Sequence, residues 1–138
     1  MDKIGEYWVP LRKRVMVYDT DFAGVVYFAS YMRWIEDAVT EYMRELGLSL
    51  SSLREKGVLF AVKSLEIEYL TPGKYDDLVD LGVRLEETTR RRVTFSFSFL
   101  RSGETLAEGR ITYACINSDF QPSDIPEWLL QKAEEMKG

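Results

Sequence analysis

Apolar residues recur along this chain with two different periods, and the change of period divides it into elements. Between Ser30 and Leu46 they fall three and four apart, so that Tyr31, Trp34, Ile35, Ala38, Tyr42, Met43 and Leu46 share one face. Arg33, Glu36, Asp37, Thr40, Glu41, Arg44 and Glu45 cover the rest. This spacing predicts a long amphipathic helix over residues 30–46, capped by Gly47. Ser52 with Glu55 three residues on has the form of a capping box for a short second helix, which Gly57 stops.

Elsewhere the period is two. Residues 8–18 read as a strand, with Val15 and Val17 facing one way and Arg14, Met16 and Tyr18 the other. Leu65, Ile67 and Tyr69 alternate with Ser64, Glu66 and Glu68, and Thr71-Pro72-Gly73 supplies a turn. Val79, Leu81, Val83 and Leu85 make the next strand and Val93, Phe95, Phe97 and Phe99 the one after. A hairpin at Ser102-Gly103 leads into a last strand over residues 105–117. Asp124-Ile125-Pro126 then opens a short closing helix with Trp128, Leu129 and Ala133 turned inward.

One strand, one long helix and a run of hairpin-connected strands predict the α+β class. A curled antiparallel sheet of about five strands buries its apolar face against the central helix. Two exposed edges remain, and pairing an edge with a second subunit hides one of them. With 138 residues and no linker or repeat, residues 1–138 form a single domain.

Composition narrows the function. Hydrophobic residues make up 46% of the chain, which excludes disorder. A net charge of −5 argues against general nucleic-acid binding, which needs a basic surface. Cys115 is the single cysteine, in an apolar context, so it reads as a buried inert thiol and no intrachain disulfide forms. No apolar leader and no stretch of membrane-spanning length is visible, and a cytoplasmic protein is expected. Histidine is absent altogether. That removes most hydrolytic arrangements and leaves a carboxylate as general base or nucleophile.

The segment Tyr18–Glu36 supplies such a carboxylate. Asp19 and Asp21 end a strand, Gly24 makes a turn, and the long helix follows. An acidic side chain therefore stands close to backbone N–H groups that lack intrahelical partners. Acyl transfer builds negative charge on the carbonyl oxygen, which such N–H groups stabilise, so a carboxylate beside them is half of an acyl-transfer site.

Tyr18-x-Thr20-Asp21-x-x-Gly24-Val25-Val26-Tyr27 and Tyr31-x-x-Trp34-x-Glu36 resemble the hotdog-fold acyl-CoA thioesterases. The similarity is to the 4-hydroxybenzoyl-CoA thioesterase type with its Tol-Pal-associated relatives, and in element order it covers essentially the whole chain. It implies a hotdog fold, dimers joined sheet edge to sheet edge or paired again into tetramers, and active sites at subunit interfaces. It implies that Asp21, not Asp19, is the catalytic carboxylate and that the Phe28 backbone N–H binds the thioester carbonyl. Many relatives carry histidine or tyrosine where this chain has Phe28, so only the backbone role carries over. Arg90, Arg91 and Arg92 match the basic turn that contacts the nucleotide end of coenzyme A in that family. No metal or redox cofactor is implied, coenzyme A entering as part of the substrate.

Each of these residues also has a plainer reading. Asp21 alone reads as a cap for the following helical turn, and within the full motif as catalytic. Asp19 reads as structural, bonding loop N–H groups. The arginine run is equally a solvated hairpin, and alternation keeps its three side chains from pointing the same way. It suits an acyl carrier protein as well as coenzyme A. Glu36 lies on the polar side of the helix, facing solvent or the substrate. Tyr27, Tyr31 and Trp34 shape an acyl pocket or simply pack. The Phe95, Phe97, Phe99 ladder reads as sheet core before acyl tunnel, and Lys74 as an ordinary surface lysine. Three functions stay open: an acyl-CoA thioesterase, an acyl-carrier-protein thioesterase, and a hotdog module that binds acyl thioesters without turnover.

Overall fold

The computed structural model describes residues 1–137. Six strands form one antiparallel sheet: β1 (Asp2–Ile4), β2 (Tyr7–Arg14), β3 (Leu59–Tyr69), β4 (Leu78–Thr88), β5 (Arg92–Arg101) and β6 (Glu104–Ile116). Their spatial order is β1-β2-β4-β5-β6-β3. Helix α1 (Phe28–Glu45) follows β2, α2 (Leu50–Glu55) precedes β3, and α3 (Glu127–Met136) closes the chain.

The apolar stripe of α1 packs into the sheet as its period requires. Tyr31, Trp34, Ile35, Ala38 and Tyr42 are buried against Leu81, Val83, Phe95, Phe97 and Phe99. Each of these large side chains, when fully buried, contributes about 1.5–3 kcal/mol. The Phe95, Phe97, Phe99 ladder is sheet core, with Phe97 and Phe99 stacked at 5.3 Å. A second apolar cluster, built on Leu48, Leu53, Val58, Cys115, Ile125 and Leu129, joins α2 and α3 to the far end of the sheet. Burial and nearby Asp124 raise the Cys115 thiol pKa, in keeping with an inert thiol.

Four expectations change. The sheet has six strands because Asp2–Ile4 folds back on β2 through Gly5-Glu6, pairing Ile4 with Tyr7. Gly5 has φ +59, a conformation suited to glycine in a tight hairpin. The strand expected to reach Tyr18 stops at Arg14. Val15 is buried but Val17 is 69% exposed, because the Asp19 carboxylate turns inward, accepts the Met16 N–H at 2.9 Å and winds Val17–Asp19 into a 3-10 turn. The cap of α2 is Ser49, whose Oγ accepts the Ser52 N–H at 3.2 Å, so Ser52 and Glu55 are not a capping box. Trp128 points outward, 39% exposed, with the Lys56 ammonium 4.6 Å from its ring, while Leu129 and Ala133 are buried as expected.

The loop between β3 and β4 is tied to the sheet by Arg101, whose Nη1 lies 2.7 Å from Asp77 Oδ2. Burial works against the charged form of Asp77, but the Arg101 and Lys74 N–H bonds and the nearby cations outweigh it, and its pKa falls below the usual carboxylate value. A depressed folded-state pKa stabilises the protein above the unfolded value and is lost as pH falls through the folded one. Asp77→Asn is therefore expected to cost about 1 kcal/mol at neutral pH. In urea titrations its difference from wild type should shrink as pH falls below the usual carboxylate range, where Asp77 takes up its proton in the folded protein too.

Candidate active site

The chain leaves the 3-10 turn and enters a compact loop ahead of α1. Thr20 bridges Val26, the Asp21 N–H bonds Val25 O at 2.9 Å, and the Gly24 N–H bonds Asp21 O at 3.0 Å. Gly24 has φ +79, which this tight return needs. Asp21 Oδ1 accepts the Ala23 N–H at 2.8 Å, a side-chain turn that fixes the carboxylate while leaving the residue exposed.

Helix α1 starts two residues earlier than the hydrophobic spacing predicts, at Phe28. Its N-cap, Tyr27, contributes no side-chain bond. The Ser30 N–H turns back to Tyr27 O, but among the described residues neither the Phe28 nor the Ala29 N–H has an acceptor. Two unpaired donors at the positive end of an 18-residue helix form a ready anion site. Phe28 is 58% and Tyr27 43% exposed, their rings 4.5 Å apart. Asp21, Tyr27 and the Phe28 N–H thus belong to one exposed loop and helix start.

Asp19 has the structural place expected of it. It is 1% exposed, its backbone O accepts both the Tyr27 N–H and Ser30 Oγ–H, and Arg33 Nη2 lies 3.5 Å from its carboxylate. A second support was not legible in the sequence: Gly73 O accepts the Val26 N–H at 2.7 Å. A Cβ at position 73 would stand 2.9 Å from Val26 Cγ2 and 3.3 Å from the Tyr31 hydroxyl. Glycine there lets the loop after β3 press on the loop before α1. The Thr-Pro-Gly turn was visible in the sequence, but not its partner. Lys74 is exposed and bridges Val25 through its backbone, beside the same loop.

Other candidates lie elsewhere in the protomer. Tyr31 is a core residue, 3% exposed and stacked on Phe99 at 6.0 Å. Trp34 is buried beside it. The arginine run sits at the turn between β4 and β5, whereas the α1 N-terminus lies at the Arg101 end of the sheet. The length of β5 separates the two ends by roughly 25–30 Å. Asp124 holds Arg91 at 2.8 Å and Arg90 at 3.4 Å, which keeps its own pKa low.

Glu36 is exposed but lines the rim of an apolar cavity of about 220 Å³ under the C-terminal half of α1. Met43, Leu53, Phe60, Phe95 and Met136 are among the apolar residues that line it, and Tyr113 lines it together with Glu36. Burial and the Glu36 charge push the Tyr113 pKa up to about 12.

Residues 15–133 match the family model described as the thioesterase-like superfamily. The chain belongs to that superfamily. As a thioesterase-like protein it is 35% identical over 105 residues to the acyl-CoA thioesterase YbgC of Haemophilus influenzae, covering 75% of this chain and 77% of the relative. A putative esterase of Aquifex aeolicus is 32% identical over 121 residues, 87% of this chain and 93% of that one. Among solved structures, a probable thioesterase from Bartonella henselae superposes with a TM-score of 0.78 at 29% identity, over 84% of this chain and 97% of that one. The thioesterase-like superfamily carries the hotdog fold, and the α1 helix wrapped by this sheet is that fold.

Proposed function

We propose that this protein hydrolyses an acyl-CoA thioester to a free acid and coenzyme A. The observation that carries the reading is an exposed carboxylate, Asp21, anchored in the loop that delivers two unpaired helix N–H groups. The thioester oxygen binds at the Phe28 N–H, where each aimed donor contributes about 3 kcal/mol as charge develops. Asp21 activates water, or attacks the carbonyl itself and forms a mixed anhydride that water then opens. In the first route Asp21 takes the water proton and passes it to the departing thiolate. In the second the thiolate leaves as the anhydride forms and takes its proton from solvent, and water then opens the anhydride to restore the Asp21 carboxylate. Neither route needs a metal or redox cofactor. The named relatives support the substrate class, and acyl-CoA substrates fit a cytoplasmic enzyme.

The arginine run enters this reading through a second subunit. β3 is an edge strand of the sheet, with Val62 and Tyr69 exposed along it. Two such edges related by a two-fold axis run antiparallel. The turn between β4 and β5 of one protomer then lies toward the α1 N-terminus of its partner, within a dimer or a dimer of dimers. Arg90, Arg91 and Arg92 clamp the phosphates of coenzyme A from there, with Arg92 free of Asp124.

Thiol release from matched acyl-CoA and acyl-carrier-protein substrates tests the carrier. We expect kcat/KM on the coenzyme A thioester to lead by about tenfold or more. A lead for the protein-bound acyl group would move the enzyme to carrier-protein substrates, and binding with no thiol release from either would leave a non-catalytic module.

A further inference from the structure

We propose that Asp19 is a positioning residue of the reaction, beyond its part in folding the loop. It fixes where the Asp21 carboxylate stands relative to the open donors of α1, and Lys13 and Arg33 offset its charge so that it does not oppose the oxyanion. This rests on the thioesterase reading, since it takes Asp21 and the Phe28 N–H to be the groups that act on the substrate.

Asp19 ties the two ends of the site together. Its carboxylate accepts the Met16 N–H at 2.9 Å, which closes the 3-10 turn after β2. Its backbone O accepts the Tyr27 N–H at 2.8 Å and the Ser30 hydroxyl at 3.0 Å, which anchors the first turn of α1. The loop that carries Asp21 runs between these attachments, and the Thr20–Val26 bridge lies next to them. A shift of Asp19 therefore moves Asp21 and Phe28 relative to one another. Rates are sensitive to misplacements of about 1 Å in such a pair.

The same attachments hold the helix without closing it. An N-cap side chain commonly bonds the second or third N–H of its helix, and here that would occupy a donor the oxyanion needs. Tyr27 makes no such bond, and the Ser30 hydroxyl donates to Asp19 O. The helix start is thus anchored through the Tyr27 N–H and a serine hydroxyl, while the Phe28 and Ala29 N–H groups stay open.

A carboxylate so close to the α1 N-terminus would by itself repel charge developing on the thioester oxygen, and burial denies Asp19 the water that would screen it. Two cations from different elements stand against it. Lys13 Nζ, from β2, lies 3.8 Å from Oδ2, and Arg33 Nη2, from α1, lies 3.5 Å from Oδ1. Arg33 Nη2 also donates to Ser30 Oγ at 3.3 Å, so the guanidinium links the Asp19 carboxylate to the serine that Asp19 O holds. Arg33 is exposed, so its replacement removes this tie and leaves the core in place.

The test measures kcat and KM on the preferred acyl-CoA for Asp19→Asn, Arg33→Ala and Arg33→Lys, at a temperature where urea titration shows each variant fully folded. Asp19→Asn keeps the shape and an acceptor for the Met16 N–H but removes the charge. It is expected to lower kcat by about 10- to 100-fold with KM changed little. Arg33→Ala should lower kcat by about tenfold, and Arg33→Lys should recover most of that loss. If Asp19→Asn fails to fold, the two Arg33 variants carry the comparison.

A purely supporting role would lower the unfolding midpoint and leave kcat of the folded protein unchanged. That result would overturn the proposal, as would a lysine variant no faster than alanine, and either leaves the thioesterase reading intact. If wild type releases no thiol from any acyl-CoA, that reading fails instead, and amide NMR then tests the positioning alone. The Phe28 and Ala29 N–H signals should shift or broaden in Arg33→Ala, and unchanged signals refute it.

Discussion

Replacing Asp21 by Asn is expected to lower kcat on the preferred acyl-CoA by about 100- to 10,000-fold, with KM changed little. The substitution keeps what the loop needs. Asp21 Oδ1 accepts the Ala23 N–H, and an asparagine carbonyl oxygen accepts it equally well. Asparagine also suits the turn, so the path from Thr20 to Val26 stays closed. What disappears is the negative charge, and with it both the general base and the nucleophile. The helix N–H groups remain, so activity above the uncatalysed rate survives from oxyanion binding alone. Thiol release under saturating substrate, with unfolding followed in parallel, separates these effects. An Asn variant as active as wild type at equal stability would remove Asp21 from the mechanism.

Gly109→Ala is expected to destabilise the fold by about 3 kcal/mol or more. Gly109 in β6 stands opposite Ile67 in β3 and Phe97 in β5. A Cβ there would overlap the Glu66 carbonyl oxygen and lie 2.9 Å from Phe97 Cζ. The first clash is with backbone, which has no rotamer to escape into, so β3 must lift away from β6. That strand is also the proposed subunit edge. Urea denaturation should show the lost stability, and sedimentation at matched concentration should show weakened association. An unchanged midpoint would mean that β3 already rides further from β6 than this register allows.

Much of this was legible along the chain, for a reason visible in particular residues. The period of α1 follows from which side chains share a face, and its buried set includes Tyr31, Trp34, Ile35, Ala38 and Tyr42 as read from spacing alone. The Phe95, Phe97, Phe99 ladder was likewise local and correct as core. The boundaries erred where a side chain competed with the period. Asp19 pulled the end of β2 into a 3-10 turn, and Ser49 took the cap that Ser52 was expected to provide. The sixth strand escaped because three residues carry no period to read.

The sequence by itself determined the class of the fold, the long helix, and the loop that joins a carboxylate to a helix start. All of these rest on residues within a turn or two of one another, whose geometry the backbone period fixes. Only the tertiary structure decided the rest. It set the arginine run at the far end of the sheet from Asp21. It pressed Gly73 against Val26, and brought Glu36 and Tyr113 to the same recess. Those partners lie dozens of residues apart. Their meeting depends on strand register and on how tightly a helix can seat on a sheet, which packing settles and local pattern does not contain.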